Sequence, residues 1–434
     1  MDNAHTDLRL RDRERALKGG TRSIRTGLVL SGGGARGAYE VGVLRYLREE
    51  LPRRLGYTPR IDVVSGTSVG AINAAFFAAT ADDPAVQARR LSDHWRALRV
   101  EQMFALSLRE VMRSTRLLLG GEPAPAVAGE LRRGGMLNTA GLERLVVRSV
   151  PWRRIAHNIA AGHLDALSVS ATHVASGKTV VFVEQKGGGL PPWSRDPAVR
   201  ATAATIGPFH VLASAAIPAL FPAVAIDGAY YSDGGLRQNT PLSPALRLGA
   251  DRILVISLKH LATEAEEQQV AAANVEAFPS PWFLIGKSLN ALLLDHTDYD
   301  IDRMHRMNAI IDGGVRAFGD RFLDELNRTM VEVRGQGVRL VHPLLIRPSS
   351  DIGRLAAQHA RGRRLSSLPG LHGRLIRYLG NTTSALAEAD LLSYLLFDGE
   401  YAAELIELGH RDARAREDEL VAFFDDRQAL EAML

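Results

Sequence analysis

Apolar residues in this 434-residue chain gather into short unbroken runs, each closed by glycine, serine or aspartate and followed by a stretch of helical spacing. Strands buried on both faces of a parallel sheet have that pattern, with the helical stretches as their crossovers. Gly27-Leu28-Val29-Leu30-Ser31 is the first such run, and residues 38–50, with Val41, Val43, Leu44 and Leu47 on an apolar face, form its helix. Residues 61–64 make the second strand, and a helix-forming run starts directly behind Ser68. Residues 164–172 and 178–184 alternate well enough for a hairpin turned at Ala175-Ser176-Gly177. Residues 224–231 carry another hairpin signal, Asp227-Gly228, and 252–258 read as a buried strand. Short helices are predicted over 209–216, opened by Pro208, and over 241–248, ended by Gly249.

The longer segments read as helices. Residues 81–160 connect two strands, and within them 94–119 alternate arginine with Met103, Phe104, Leu106, Val111 and Leu117. Such an amphipathic stretch serves either as a cap that dips into lipid or as a helix pair packed on the core. Residues 282–334 form a long helical stretch leading to a further strand at 339–347, and the chain from 355 onward is helical. Its apolar segment at 391–408 has two uses, packing on the main domain or joining a second copy as a homo-oligomer. The pattern therefore predicts an α/β fold with a mostly parallel central sheet. Residues 1–26 are expected to be a mobile polar tail, 27–258 the α/β domain, and 259–434 a mainly helical C-terminal extension that adds one strand.

Composition narrows the chemistry. Apolar residues at 46% and charged residues at 24% are ordinary for a globular protein. With no cysteine, disulfides, thiolate metal sites and cysteine nucleophiles are excluded. Histidines lack metal-ligand spacing, so neither metal nor cofactor is expected. The first residues contain no apolar leader, and the apolar stretch 211–226 is short and broken by Pro218 and Pro222, so a cytoplasmic location is expected. A net charge of +4 suits a solvated arginine-rich surface and also a peripheral place on anionic lipid. No zinc-finger, zipper or aromatic RNA-binding signature is present, so nucleic acid is not an expected partner.

Two glycine-rich strand-to-helix turns carry the chemistry. Gly66-Thr67-Ser68-Val69-Gly70 places a serine in a sharp bend before a helix N-terminus, where unpaired N–H groups suit a nucleophile facing a developing oxyanion. Gly32-Gly33-Gly34-Ala35-Arg36-Gly37 also satisfies the dinucleotide-binding pattern, so a dinucleotide- or phosphate-binding module is a rival reading. That module needs an acid at the end of the second strand. Here the second strand ends in Ser65-Gly66, and its acid, Asp62, stands near the start. The same loop can instead hold an oxyanion with its open amides. Asp233, in Ser232-Asp233-Gly234-Gly235, is a carboxylate on a glycine-bounded turn, which alone says no more than turn. His173, beside a hairpin turn, is read as structural rather than as a triad member.

Taken in order, the Gly32–Gly37 loop, the Ser68 turn and Asp233-Gly234-Gly235 resemble the patatin family of lipid acyl hydrolases over about residues 27–257. Ala213-Ser214-Ala215-Ala216-Ile217-Pro218 is similar to the stretch preceding that family's aspartate, and 346–348 and 397–408 look like extensions of bacterial members. The resemblance implies a three-layer α/β/α fold, a Ser68–Asp233 dyad and an oxyanion hole along the glycine loop, with Gly66, Thr67, Val69 and Gly70 as the elbow. It also implies that Arg36 steadies the loop or attracts a headgroup. The expected activity is hydrolysis of lipid or phospholipid acyl esters at a membrane surface, with an esterase or thioesterase on smaller acyl substrates as the alternative.

Overall fold

The computed structural model describes residues 24–103, 105–106, 129–278, 281–294, 297–361 and 385–425. The expected tail up to residue 23, most of 104–119, and the glycine- and proline-rich stretch 120–125, which reads as a loop, lie outside them. Ten strands form one sheet. Nine have four or more residues: β1 (Thr26–Leu30), β2 (Val63–Thr67), β3 (Ala166–His173), β4 (Thr179–Gln185), β5 (Val199–Ala203), β6 (Ala223–Ile226), β7 (Ala229–Asp233), β8 (Arg252–Ile256) and β9 (His342–Ile346). The centre is parallel in the order β9-β8-β1-β2-β3. β1, β2 and β8 are buried at every residue, which is why they read as unbroken runs rather than alternating ones.

Antiparallel pairing takes over at β3. This strand pairs with β2 through Ala166–Ser170 and with β7 through Ala171–His173, while β4 follows Ala166–Thr172. That handover sets the end of β7 beside the end of β2. The β6–β7 hairpin turns at Asp227 and Gly228, both at positive φ (49° and 79°), the conformation that an Asp-Gly turn supplies.

The helices that position the site are α1 (Ala38–Glu49), α2 (Val69–Ala79), α3 (Pro84–Arg96), α4 (Pro208–Ser214), α5 (Gly235–Gln238) and α6 (Leu242–Arg247). The C-terminal extension adds α7 (Pro281–Leu294), α8 (Thr297–Phe318), α9 (Arg321–Arg334), α10 (Ala385–Leu395) and α11 (Gly399–Ala415). α11 lies against α1 so closely that a side chain on Gly42 would strike the Ile406 carbonyl and one on Gly409 the Tyr39 carbonyl. One apolar cluster joins Leu28 and Leu44 of the α/β part to Leu391, Leu405 and Phe424 of the extension. The 391–408 face is thus spent inside the chain, with Leu391, Tyr394, Tyr401 and Leu405 at most 1% exposed, instead of being left for a second copy.

Three boundaries differ from the sequence pattern. The single helical stretch over 282–334 is three helices, the last two parted at Gly319 (φ 75°). The strand expected over 339–347 begins only at His342, because Asn327 and Asn308 take the backbone of Val338 and Val341 in place of a sheet neighbour. Inside the stretch read as mainly helical, Ala105–Leu106 pairs with Leu137–Asn138 and Arg132–Arg133 joins the sheet edge. Among the described residues no helix is long and apolar enough to cross a membrane.

Candidate active site

β2 delivers Ser68 into a bend at φ 55°, ψ −126°, a strained place for a residue with a side chain, and α2 begins at the next residue. The flanking glycines are required by contact: a side chain on Gly66 would meet the backbone of Gly70, and one on Gly70 the carbonyl of Leu30. The bend is held from outside. Ser68 N–H donates to Ser214 Oγ (2.8 Å) at the end of α4, and that hydroxyl donates to the carbonyl of Ser170 (2.6 Å) on β3.

Asp233 ends β7, and its carboxylate meets the serine: Ser68 Oγ donates to Asp233 Oδ2 at 2.6 Å. The other oxygen accepts from Gly235 N–H (2.7 Å), and Thr172 Oγ1 donates to the Asp233 carbonyl (2.9 Å). Both sequence-predicted residues are closed off, Ser68 at 2% exposure and Asp233 at 0%. Burial pushes the Asp233 carboxyl up to about 7, against the opposing pull of its hydrogen bonds from Ser68 and Gly235. Gly234 is fixed by crowding, since a side chain there would enter the Ser170 carbonyl.

The glycine loop lies alongside. A Cβ on Gly32 would stand 2.9 Å from Ser68 Cβ, and one on Gly37 would collide with Val69. Of the loop amides, Gly32 N–H is taken by the Asn239 carbonyl and Arg36 N–H by the Gly33 carbonyl, both at 3.2 Å. Gly33, Gly34 and Ala35 open a short 3-10 helix (Gly34–Gly37), where the first amides have no acceptor within the helix. Gly34 sits at φ 58° with the Tyr394 backbone against it. Arg36 is 4% exposed and turned into the extension, donating to Ser393 Oγ (2.7 Å) and pairing with Asp390 (3.3 Å). These contacts tie the loop to the extension. The Arg36 guanidinium is engaged in the interior and does not present itself to a headgroup.

Several supporting groups carry no motif in the sequence. Asn239 Nδ2 donates to the Gly32 carbonyl (3.1 Å), and Thr67 Oγ1 donates to the Gln238 carbonyl (2.9 Å). Glu40, fully buried, accepts from Asn73 Nδ2 (2.8 Å), while Asn73 Oδ1 accepts from Trp95 Nε1 (3.0 Å). Ser214 alone had a signal, inside the 213–218 stretch. His173 is not part of this assembly: its Nδ1 lies 2.8 Å from Ser176 Oγ in its own hairpin turn. Asp62 accepts from the Thr26 backbone (2.7 Å), at the opposite end of β2 from the glycine turn, so the acid that a dinucleotide site needs is missing there. Among the described residues one set of possible metal ligands converges, His359, Asp398 and Glu400, with ligand atoms within 4.8 Å. It lies in the extension, where Asp398 caps α11.

The Patatin family profile, described as patatin-like phospholipase, matches residues 28–246, half of the chain. This chain belongs to the patatin-like phospholipase family. A patatin-like phospholipase domain-containing protein of Caenorhabditis elegans is 47% identical over 79 residues, 17% of this chain and 5% of that protein. An uncharacterized NTE family protein of Mycobacterium tuberculosis is 29% identical over 259 residues, 59% of this chain and 55% of that one. The chain thus spans at most about half the length of these relatives. Among solved structures, VipD from Legionella pneumophila covers 89% of this chain and 67% of its own at 15% identity, with a TM-score of 0.27, too slight a likeness to argue from. The patatin-like match spans the glycine loop, the elbow and the aspartate turn together.

Proposed function

We propose that this chain is a serine acyl hydrolase of phospholipids, with Ser68 as nucleophile and Asp233 as its general base. The 2.6 Å contact between Ser68 Oγ and a fully buried carboxylate carries the reading. Serine is a weak nucleophile until a base takes its proton, and a carboxylate pushed up to about 7 is matched to that task at neutral pH. As Oγ attacks the ester carbonyl, its proton passes to Asp233 Oδ2. Amides at the start of the Gly34–Gly37 turn face the developing oxyanion. Collapse breaks the ester bond, the proton goes to the leaving alkoxide, and the acyl group stays on Ser68. Water then gives a proton to Asp233 and attacks the acyl-enzyme. Fatty acid leaves, and the proton returns to Ser68.

The family's name supports a phospholipid substrate, and such a substrate brings the protein to a membrane surface as a peripheral visitor. A fluorophosphonate probe tests the nucleophile: it is expected to label the native chain and not Ser68→Ala. Labelling retained in that variant would overturn the assignment. Mass spectrometry of products from mixed phospholipid vesicles separates a phospholipase from an esterase on smaller esters.

A further inference from the structure

A cleft of about 600 Å³ opens between α6, α8 and α9, lined in part by Asn239, whose side chain lies against Gly32. That volume is within the range of small-molecule sites. Six arginines and two aspartates line it, a local excess of four positive charges, as large as the net charge of the whole chain. Its floor is apolar, with Leu242, Met304 and Val338. We propose that this cleft binds a phosphate-bearing anion.

The pairing of arginines on the same helices argues for it. Where α8 and α9 face outward, three arginines have acidic partners one turn away, Arg306 with Asp302, Arg316 with Asp312 and Arg328 with Glu325, while Arg321 has none among the described residues. Of the arginines turned to the cleft, Arg339 pairs with Asp251 (3.4 Å). Among the described residues the side chains of Arg237, Arg303 and Arg334 have no ion pair and no hydrogen bond. Arg247 packs over the Trp193 ring, 6.0 Å from its centroid, and its buried Nη1 has no hydrogen-bond partner among the described residues. A buried unpaired guanidinium nitrogen is costly, and an incoming oxyanion would relieve it. Burial, then repulsion from Arg334, pushes Arg247 down, and Arg334 is pushed down by burial and by Arg303, so the cluster stores repulsion that an anion releases. Two further arginines build the walls: Arg339 donates to the carbonyls of Leu246 (2.7 Å) and Ala250 (2.8 Å), and Arg195 donates to the carbonyl of Glu332. The guanidinium fork matches phosphate geometry, which favours a phosphoester over a carboxylate.

The cleft shares a wall with the candidate site. Asn239 and Gln238 line it while bonding Gly32 and Thr67, and Thr297 lines it while Thr240 joins Thr297 (2.6 Å) to Ser31 (3.0 Å). Two sources offer the same ligand chemistry, a soluble phosphoester and the headgroup of an anionic lipid.

Binding is measured on full-length Ser68→Ala protein, so the result does not depend on turnover. Inorganic pyrophosphate is titrated by calorimetry, and co-sedimentation is followed with phosphatidylcholine vesicles with and without phosphatidic acid. Saturable pyrophosphate binding marks a soluble phosphoester, and sedimentation that depends on phosphatidic acid marks a headgroup; either supports the site. Combining Arg303→Ala with Arg334→Ala, both at exposed positions, is expected to weaken binding about tenfold or more. A second variant, Arg306→Ala with Arg316→Ala, makes the same change in charge on the outward face and is expected to bind like the parent. Absence of binding to both probes at low ionic strength, or equal losses in the two double variants, would overturn the proposal.

Discussion

The Arg36 guanidinium lies over the ring of Tyr394, 4.3 Å from its centroid, and that contact ties the glycine loop to a helix more than 350 residues later in the chain. Burial lowers the Arg36 pKa most, yet Tyr394 first and then Asp390 and its neighbours outweigh that and raise it overall. Replacing Ser393 with alanine leaves Arg36 Nε without its buried acceptor. Denaturant unfolding of Ser393→Ala is expected to show a loss of about 1–3 kcal/mol. Unchanged stability would mean that the clasp is slack.

In the proposed mechanism the base form of Asp233 is the reactive one, so kcat/KM is expected to rise with pH through an apparent midpoint of about 7. A profile flat from pH 5 to 9 would remove Asp233 as the base.

Stability should move the opposite way. The folded-state pKa of Asp233 is raised above its unfolded value of 3.8, so the native state holds the proton more tightly. Its contribution is complete below the unfolded pKa and is lost as pH rises toward about 7, by roughly 4 kcal/mol in all. Asp233→Asn escapes that loss. Its melting temperature relative to the parent is expected to climb between about pH 4 and 7 and then level off, while hydrolysis is abolished. A constant difference across that range would show that the carboxyl titrates normally.

Glu40 offers a test away from the dyad. Burial pushes its carboxyl well above the usual range, against hydrogen bonds from Asn73 and the Ser31 backbone, which favours the neutral acid at the base of the glycine loop. Glu40→Gln keeps a neutral group of the same shape and is expected to keep activity. Glu40→Ala leaves Asn73 and Ser31 without their partner and is expected to cost about 2–4 kcal/mol and lower kcat. Equal behaviour of the two variants would deny Glu40 this role.

His173→Ala is expected to turn over near the parent rate, because the imidazole is engaged with Ser176 in its own turn. A loss of a hundredfold or more with the fold intact would reinstate a triad.

What the sequence made legible follows from distance along the chain. Strands β1, β2 and β8, the elbow glycines and the aspartate turn are local patterns in which periodicity and backbone crowding act over a few residues. Asn239 and Tyr394 were not legible as supports, because each meets the glycine loop from a remote segment, where no spacing rule reaches. Arg36 shows the same limit. Its position in the loop was plain, but its burial by Asp390 and Ser393 depended on a helix whose docking the sequence left open between this core and a second copy.

Main chain touches main chain where α1 crosses α11, at Gly42 and Gly409, with no room for a methyl group between them. Such a joint cannot be loosened by degrees. The two elements are therefore expected to melt together, and severing the last third would strip a wall from the helix that leaves the glycine loop.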